Sequence, residues 1–389
     1  MDHQITSPTI IPAANSSKLN RLKRAHPYAT IIDHYTDQLD ELFEVTHPKY
    51  ADNPTKKHDF LAKLFGHDNF DQTGNWVFFP WNNTLTHILD ETNFQKVRTA
   101  RNFPLISHAD QKKFHQLKVG VVGLSVGNSI VQSILHTGGA NTIKIADPDT
   151  LGLSNLNRIR ANVADLGKNK TTLTKEQIYQ VNPYANVHPY PKGITPDNIE
   201  VFFTQPKLDL VIDAADNLTV KNYLRLMARA LKIPLLMTTD NGHESNTQII
   251  RFDQSSDAGG MKGLPELAVQ DIVNAFSYHE PLNISDKQKL ALIAQMVGPN
   301  NVSLEMQKGS MLRAQNKIAG WPQLATTVFL GGSLAAFAAH LIAKKTRTYP
   351  KQSSFNIKAH LTPSHHSKAS KTAHQKHTQI FLNFLKNLS

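Results

Sequence analysis

The residues best suited to chemistry fall between positions 123 and 217. An apolar run from Lys118 leads into Gly123-Leu124-Ser125-Val126-Gly127-Asn128-Ser129, a turn of small residues that opens a helical stretch. The first amides of a helix are free and carry the positive end of its dipole, so such a turn can receive a phosphate. Gly120, Gly123 and Gly127 do not keep the strict G-x-G-x-x-G spacing, and the turn alone fits any Rossmann-like protein. Asp147 closes the next apolar run, where a carboxylate can accept a hydrogen bond from a nucleotide ribose, whether of NAD, FAD or ATP. A polar series then follows: Asp147-Pro148-Asp149, Ser154-Asn155-Leu156-Asn157-Arg158, Gly167-Lys168-Asn169-Lys170 and Asp213-Ala214-Ala215-Asp216-Asn217. A dinucleotide oxidoreductase has no need of this series.

These residues require a frame that brings strand ends together. Runs such as KVGVVG, TIKIAD, VHPYP, LDLVIDA and PLLMTT alternate with helical stretches such as SIVQSILHTGG, KTTLTKEQIYQV, NIEVFF and VKNYLRLMARALKI. That alternation predicts parallel βαβ units over about 118–253, with TQIIRFD extending the sheet. The expected fold is α/β, a Rossmann-like doubly wound and mostly parallel sheet with helices on both faces. A small N-terminal α+β module and a helical C-terminal region accompany it. In the module, Ile31, Ile32, Tyr35, Leu39, Leu42 and Phe43 stand at helical spacing, WVFFPW reads as a short buried strand, and LTHILDETNFQKVRTARN returns to a helical period. Beyond the core, LPELAVQDIVNAF and SDKQKLALIAQM read as helices, and QIFLNFLKNLS as a short amphipathic one. The resulting division is a disordered leader (1–26), the module (27–110), the nucleotide-binding domain (111–258), a helical region (259–350) and a basic, largely disordered tail (351–389).

Composition sets further bounds. The chain has 389 residues, 40% hydrophobic and 19% charged, enough for one large core domain and a smaller one. It contains no cysteine, which excludes disulfides, thiolate-held zinc and a covalent cysteine intermediate on this chain. The formal charge is +11, and no Asp or Glu follows Glu305 whereas twelve Lys and Arg do. That basic end fits contact with an anionic surface such as RNA, and equally a solvated tail. The N-terminus lacks an apolar stretch of signal length, and a cytoplasmic location is expected. Residues Leu324 to Ala343 have about the ~20-residue length that spans a bilayer. His340, Ser333 and Gly331-Gly332 make them a poor span, and a buried or interface helix is expected in place of membrane contact.

In order and spacing, the motifs of about 98–253 resemble those of the ThiF/MoeB and ubiquitin-activating family: a glycine turn, D-x-D, S-N-L-N-R, G-x-x-K, the N-P of Asn182-Pro183, and a D-N dipeptide. The G-L-S-V-G turn with WPQL downstream is similar to a bacterial subset of ThiF-like proteins. The resemblance implies an adenylyltransferase using ATP and Mg²⁺. It places Gly123, Ser125 and Gly127 at the nucleotide, Asp147 on the ribose, Asn155 and Arg158 near the phosphates, Lys170 on the phosphates and Asp216 on Mg²⁺. It also matches Arg98-Thr99-Ala100-Arg101 to a segment whose second arginine, here Arg101, reaches a partner's site in a homodimer. A carboxylate attacking an α-phosphate meets dense negative charge, which agrees with fixed cations and a metal. The implied substrate is a carboxylate, foremost the C-terminus of a small ubiquitin-like or sulfur-carrier protein. A tRNA-modifying dehydratase and a catalytically silent nucleotide-binding module are the alternatives. Departures are specific: the family's G-x-G-G-x-G has Gly123, Ser125, Val126 and Asn128 at its four glycine positions, so side chains narrow the approach to the nucleotide. Without cysteine, the chemistry on this chain stops at the acyl-adenylate or passes it to an acceptor supplied elsewhere. Asp149 reads equally as a ligand or a turn cap, and His243 as a residue facing the site or, the favoured reading, a solvated loop histidine.

Overall fold

The computed structural model describes residues 7–260, 266–278, 302–346, 348 and 351–387. The chain divides into two compact units, Met1–Lys112 with Glu176–Ala185, and Lys113–Lys175 with Asn186–Ser389.

The smaller unit carries β1 (Thr9–Pro12), α1 (Ser16–Ala25), β2 (Thr30–Asp33), α2 (Tyr35–Thr46), α3 (Pro54–Phe65), β3 (Asn75–Phe79), β4 (Thr84–Ile88) and α4 (Glu91–Arg98). Its sheet runs β1-β3-β4-β2, with β2 parallel to β4 and the other pairs antiparallel. The expected disordered leader is therefore ordered from residue 7 onward, because Ile11, Ala13 and Leu19 bury themselves against Trp76, Phe78 and Leu85. The single helix expected over Thr30–Glu44 is likewise corrected. Ile31 and Ile32 lie on the exposed edge strand β2, and α2 starts only where Asp33 accepts the Tyr35 amide at 3.2 Å. Burying Tyr35, Leu39 and Leu42 against Leu61 and Leu89 needs no contribution from the isoleucines. The helical reading of LTHILDETNFQKVRTARN also resolves into two elements. Thr84–Ile88 pairs with β3, and Asp90 caps α4 by accepting the Thr92 and Asn93 amides.

The larger unit begins within α5 (His108–Gln116) and continues as β5 (Lys118–Val122), α6 (Val126–His136), β6 (Thr142–Ala146), α7 (Lys170–Val181), β7 (Asn186–Tyr190), α8 (Ile199–Thr204), β8 (Leu210–Asp213), α9 (Leu218–Ala230), β9 (Leu235–Asp240) and β10 (Glu244–Ile250). Then come α10 (Val269–Tyr278), α11 (Leu304–Ala314), α12 (Ala325–Ala343), β11 (Lys351–Asn356), α13 (Ile357–Leu361) and α14 (Lys368–Lys386). Among the described residues the sheet has seven strands in the order β11-β10-β9-β8-β5-β6-β7. The five from β9 to β7 are parallel, and β10 and β11 pair antiparallel. The chain starts at β5, winds outward through β6 and β7, returns beside β5 as β8 and winds out the other way. That is the doubly wound arrangement, with its switch point between β5 and β8. One face packs Val122, Val211, Leu235 and Met237 against α8, α9 and α10. The other face receives α6 and α12.

Helix α12 is the stretch of membrane-spanning length. Its glycines lie against protein: a Cβ on Gly331 would stand 2.8 Å from Ser245 Oγ, and one on Gly332 2.7 Å from Ser129 O. The basic tail, expected to be largely disordered, instead supplies β11 and α14. Strand β11 takes the edge of β10, where Glu244 accepts hydrogen bonds from Ser354 and Asn356. In α14, Phe381 and Leu385 bury against Ala314, Met311 and Trp321, and Thr378 bonds Gln307 at 2.9 Å. The helix expected over LPELAVQDIVNAF starts at Val269, and the one expected over SDKQKLALIAQM lies outside the described residues.

Candidate functional site

The switch point brings the ends of β5, β6 and β8 together with the N-terminus of α6. Gly123 adopts φ +87°, open to glycine at little cost, and a Cβ there would stand 2.4 Å from Ala214 O. The turn after β5 thus lies directly on the backbone that follows β8. Gly127 plays another part: its missing side chain lets α6 sit on β5, since a Cβ would be 2.9 Å from Val121 Cγ1.

Asp147 follows β6 and is 5% exposed. Its Oδ2 accepts the Leu124 amide at 2.6 Å and its Oδ1 the Asp149 amide at 2.9 Å, so the same carboxylate shapes both turns. Burial raises its pKa, partly opposed by Lys170 and by the two amides. Lys170 opens α7, against the helix dipole, and is held there by acids: its Nζ is 2.8 Å from Asp149 Oδ2 and 3.7 Å from Asp147 Oδ1. Asp149, ambiguous in sequence, is an anchor for Lys170. Any phosphate met by Lys170 therefore shares that ammonium with two carboxylates.

Arg158 reaches back from the loop after β6. Its Nε donates to Ser125 Oγ at 2.9 Å, and its Nη1 to Ser154 O and Asn157 Oδ1 at 3.2 and 2.8 Å. Nη2 makes no hydrogen bond among the described residues. Ser125, which stands where the family pattern has glycine, is thereby explained as the acceptor that fixes the guanidinium. Asn155 turns its carbonyl on its own loop, accepting the Gly152 amide at 3.0 Å, a local role that the motif did not reveal. Asn157 ties this loop to the start of α12 through Gln323 O at 3.0 Å.

Asp216 is exposed in the turn between β8 and α9. Among the described residues no group of three or more His, Asp or Glu is arranged to hold a metal. An exposed carboxylate suits an ion that keeps waters and binds mainly substrate phosphates, as Mg²⁺ does. The turn itself, with glycine pressed on backbone, the N-terminus of α6 and Arg158 beside it, suits the phosphates of a nucleotide. Arg101 stands exposed on a short turn after α4, in the smaller unit, and is not among the residues gathered here. His243 is half-buried, and its carbonyl accepts the Ile357 amide at 3.0 Å.

Two buried carboxylates were given no role by the motifs, although Asp213 opens the last of them. Asp213, at the end of β8, is wholly buried and receives Lys221 Nζ at 3.0 Å and Arg225 Nη1 at 2.9 Å. The i+8 and i+12 spacing places both cations on the inner face of α9, a periodicity that could have paired them with an acid closing the preceding strand. Asp240 ends β9. Its carboxyl is pushed up to about 6 by burial, against the pull of Thr327, Arg158 and nearby amides.

Comparison with known proteins agrees with this architecture. Residues 97–378 match the model of the ThiF family. An uncharacterized protein of Mycobacterium tuberculosis is 30% identical over 275 residues, 71% of this chain and 37% of that one. The molybdopterin-synthase adenylyltransferase of Haemophilus influenzae is 24% identical over 147 residues, 38% of this chain and 60% of that one. The tRNA threonylcarbamoyladenosine dehydratase of Bacillus subtilis is 30% identical over 135 residues, 34% of this chain and 52% of that one. The chain thus spans less than two thirds of the length of each of these relatives.

Proposed function

The chain belongs to the ThiF family, and from that premise we propose that it activates a carboxylate by ATP-dependent adenylation and releases pyrophosphate. The observation that carries this reading is the Arg158 guanidinium, fixed on Ser125 at the opening of α6, with no hydrogen bond at Nη2 among the described residues. In this reading the ribose lies at Asp147 and the phosphates cross the first turn of α6. The substrate carboxylate attacks the α-phosphorus, the bond to the β-phosphate breaks, and pyrophosphate leaves with the bonding pair. Arg158 and the anchored Lys170 meet the charge that builds on the phosphates. Mg²⁺ at Asp216 would neutralise the departing pyrophosphate.

The substrate we favour is the C-terminus of a small ubiquitin-like or sulfur-carrier protein, in keeping with the molybdopterin-synthase adenylyltransferase among the relatives. Because these 389 residues include no cysteine, the acyl-adenylate passes to an acceptor outside them and forms no thioester on them. Arg101 acts in this scheme across a homodimer. The test is ATP–pyrophosphate exchange with three separate pools: Gly-Gly-ending carrier proteins, short peptides and total tRNA. Exchange with carrier proteins that disappears in Asp216→Ala supports the reading, and silence with every pool ends it.

A second reading has its own support. The Bacillus subtilis relative is a tRNA dehydratase, and the region after Glu305 is wholly basic in its formal charges. Exchange with the tRNA pool alone, lost as salt rises, would establish it in place of the carrier protein.

A further inference from the structure

Helix α1 gathers positive charge to which the adenylation scheme gives no task. It carries Lys18, Arg21, Lys23 and Arg24, and no Asp or Glu occurs from His3 to Ile32. Leu19 and Leu22 turn to the sheet, and Lys23 beside them lies over the Trp76 ring at 4.8 Å. Lys18, Arg21 and Arg24 fall on the other side within an arc of about 120°, since helical residues three apart differ by roughly 60°. All three are exposed, and none of their side chains has a hydrogen bond or ion pair among the described residues.

The strands beneath add no acid, because 72–89 also lacks Asp and Glu. The acids of this unit gather on 33–71, which has nine against four lysines. A face that served solubility alone would mix the two signs. Nor does the helix itself call for the whole row: Arg24 in the last turn suits the dipole, but Lys18 in the first turn opposes it. Just past the helix stands Tyr28, 91% exposed. Its carbonyl accepts Asn83 Nδ2 at 3.0 Å, which ties the backbone down while the ring stands in solvent.

We propose that α1 and Tyr28 form a binding surface for a single-stranded nucleic acid, with Lys18, Arg21 and Arg24 on successive phosphates and a base stacked on Tyr28. From Lys18 to Arg24 the helix advances about 9 Å at ~1.5 Å per residue. One strand covers that length with about three phosphates at ~3.4 Å each. Arginine forks match phosphate oxygens, and an exposed aromatic ring beside them offers any base a stacking platform. A lipid surface is a poorer fit, because the apolar side of α1 is turned to the sheet and has nothing to insert. The basic residues after Glu305 make no such row: they are spread from α11 to α14, and Lys358 is paired with Glu305 at 2.6 Å. The surface belongs to the smaller unit, and the inference does not rest on the adenylation reading.

The experiment follows the fluorescence anisotropy of labelled RNA and DNA single strands of one sequence, titrated with the full chain at roughly 50 to 200 mM salt. The triple variant Lys18→Ala, Arg21→Ala, Arg24→Ala is expected to weaken binding about tenfold or more. It should also lower the slope of log affinity against log salt by about 2, at ~0.7 per phosphate contact. Tyr28→Ala is expected to weaken binding about fivefold or more with the slope unchanged. Arg21→Lys with Arg24→Lys, which keeps the charge, should keep the slope, and Lys368→Ala with Lys371→Ala and Lys376→Ala should match the wild type. The strand bound more tightly, RNA or DNA, names the ligand. The proposal is overturned if the α1 triple variant binds with wild-type affinity and slope, or if the loss appears in the α14 variant instead. Wild-type protein that binds neither strand, or binds only phosphatidylserine vesicles, overturns it equally.

Discussion

Asp213 and Asp240 close neighbouring parallel strands and both are buried, yet the fold treats them in opposite ways. At the end of β8, Lys221 and Arg225 reach up from α9 and satisfy both oxygens of Asp213. At the end of β9, no Lys or Arg among the described residues forms an ion pair with Asp240, and burial drives its carboxyl up to about 6. Burial and residue type are alike at the two ends. The difference is whether cations come from the helix that packs beneath or from the loop that lines the site. The first arrangement makes a carboxylate part of the scaffold, and the second leaves it sensitive to what occupies the site.

The largest expected effect tests the scaffold side. Asp213→Ala leaves two cations without their acid, and urea unfolding should show a loss of about 3–5 kcal/mol, the usual cost of breaking a buried pair. A loss under about 1 kcal/mol would remove the distinction between the two strand ends. Next comes the site side, where Arg158→Ala should lower pyrophosphate exchange on the order of 10²–10³-fold while the chain still unfolds cooperatively. Asp240→Asn should then be more stable than the wild type at pH 7.5. A carboxyl raised from 3.8 to about 6 contributes stability below pH 4 and loses it as pH climbs through 6. The gain should be about 1–2 kcal/mol at pH 7.5 and vanish near pH 4, as denaturant curves at the two values would show. The smallest effect is Asn155→Ala, which removes the acceptor of the Gly152 amide. It should cost at most about 1 kcal/mol and less than tenfold in exchange, and a larger fall in exchange would move Asn155 from turn to phosphate contact.

The parallel core was legible because its strands are continuous apolar runs broken by turns, the pattern of a sheet covered on both faces. Val119, Val121, Ile143, Ile145 and Ile212 are all buried as their runs imply. Outside the core, the same apolar code misled. Ile31 and Ile32 look like a helix face, but they are half-exposed on an edge strand whose partner β4 lies some fifty residues away. Strand β11, KQSSFN, has almost no hydrophobic signal and forms because β10 offers an open edge and Glu244 accepts its side chains. In the site, Gly123, Asp147, Arg158 and Lys170 announced themselves by order and spacing. Asp240 did not, since an acid closing an apolar run becomes informative only once its burial without an ion-paired cation is seen.

The placement of β11 bears on how the chain is made. Strand β10 leaves the ribosome roughly a hundred residues before the strand that covers its edge. At the ~5–20 residues per second of translation, that is about 5–20 seconds with a row of open backbone groups. Through that interval the nucleotide-binding strands β5 to β9 are already complete in sequence, while the sheet's border stands ready to pair with any extended segment, including that of a nascent copy on the same message.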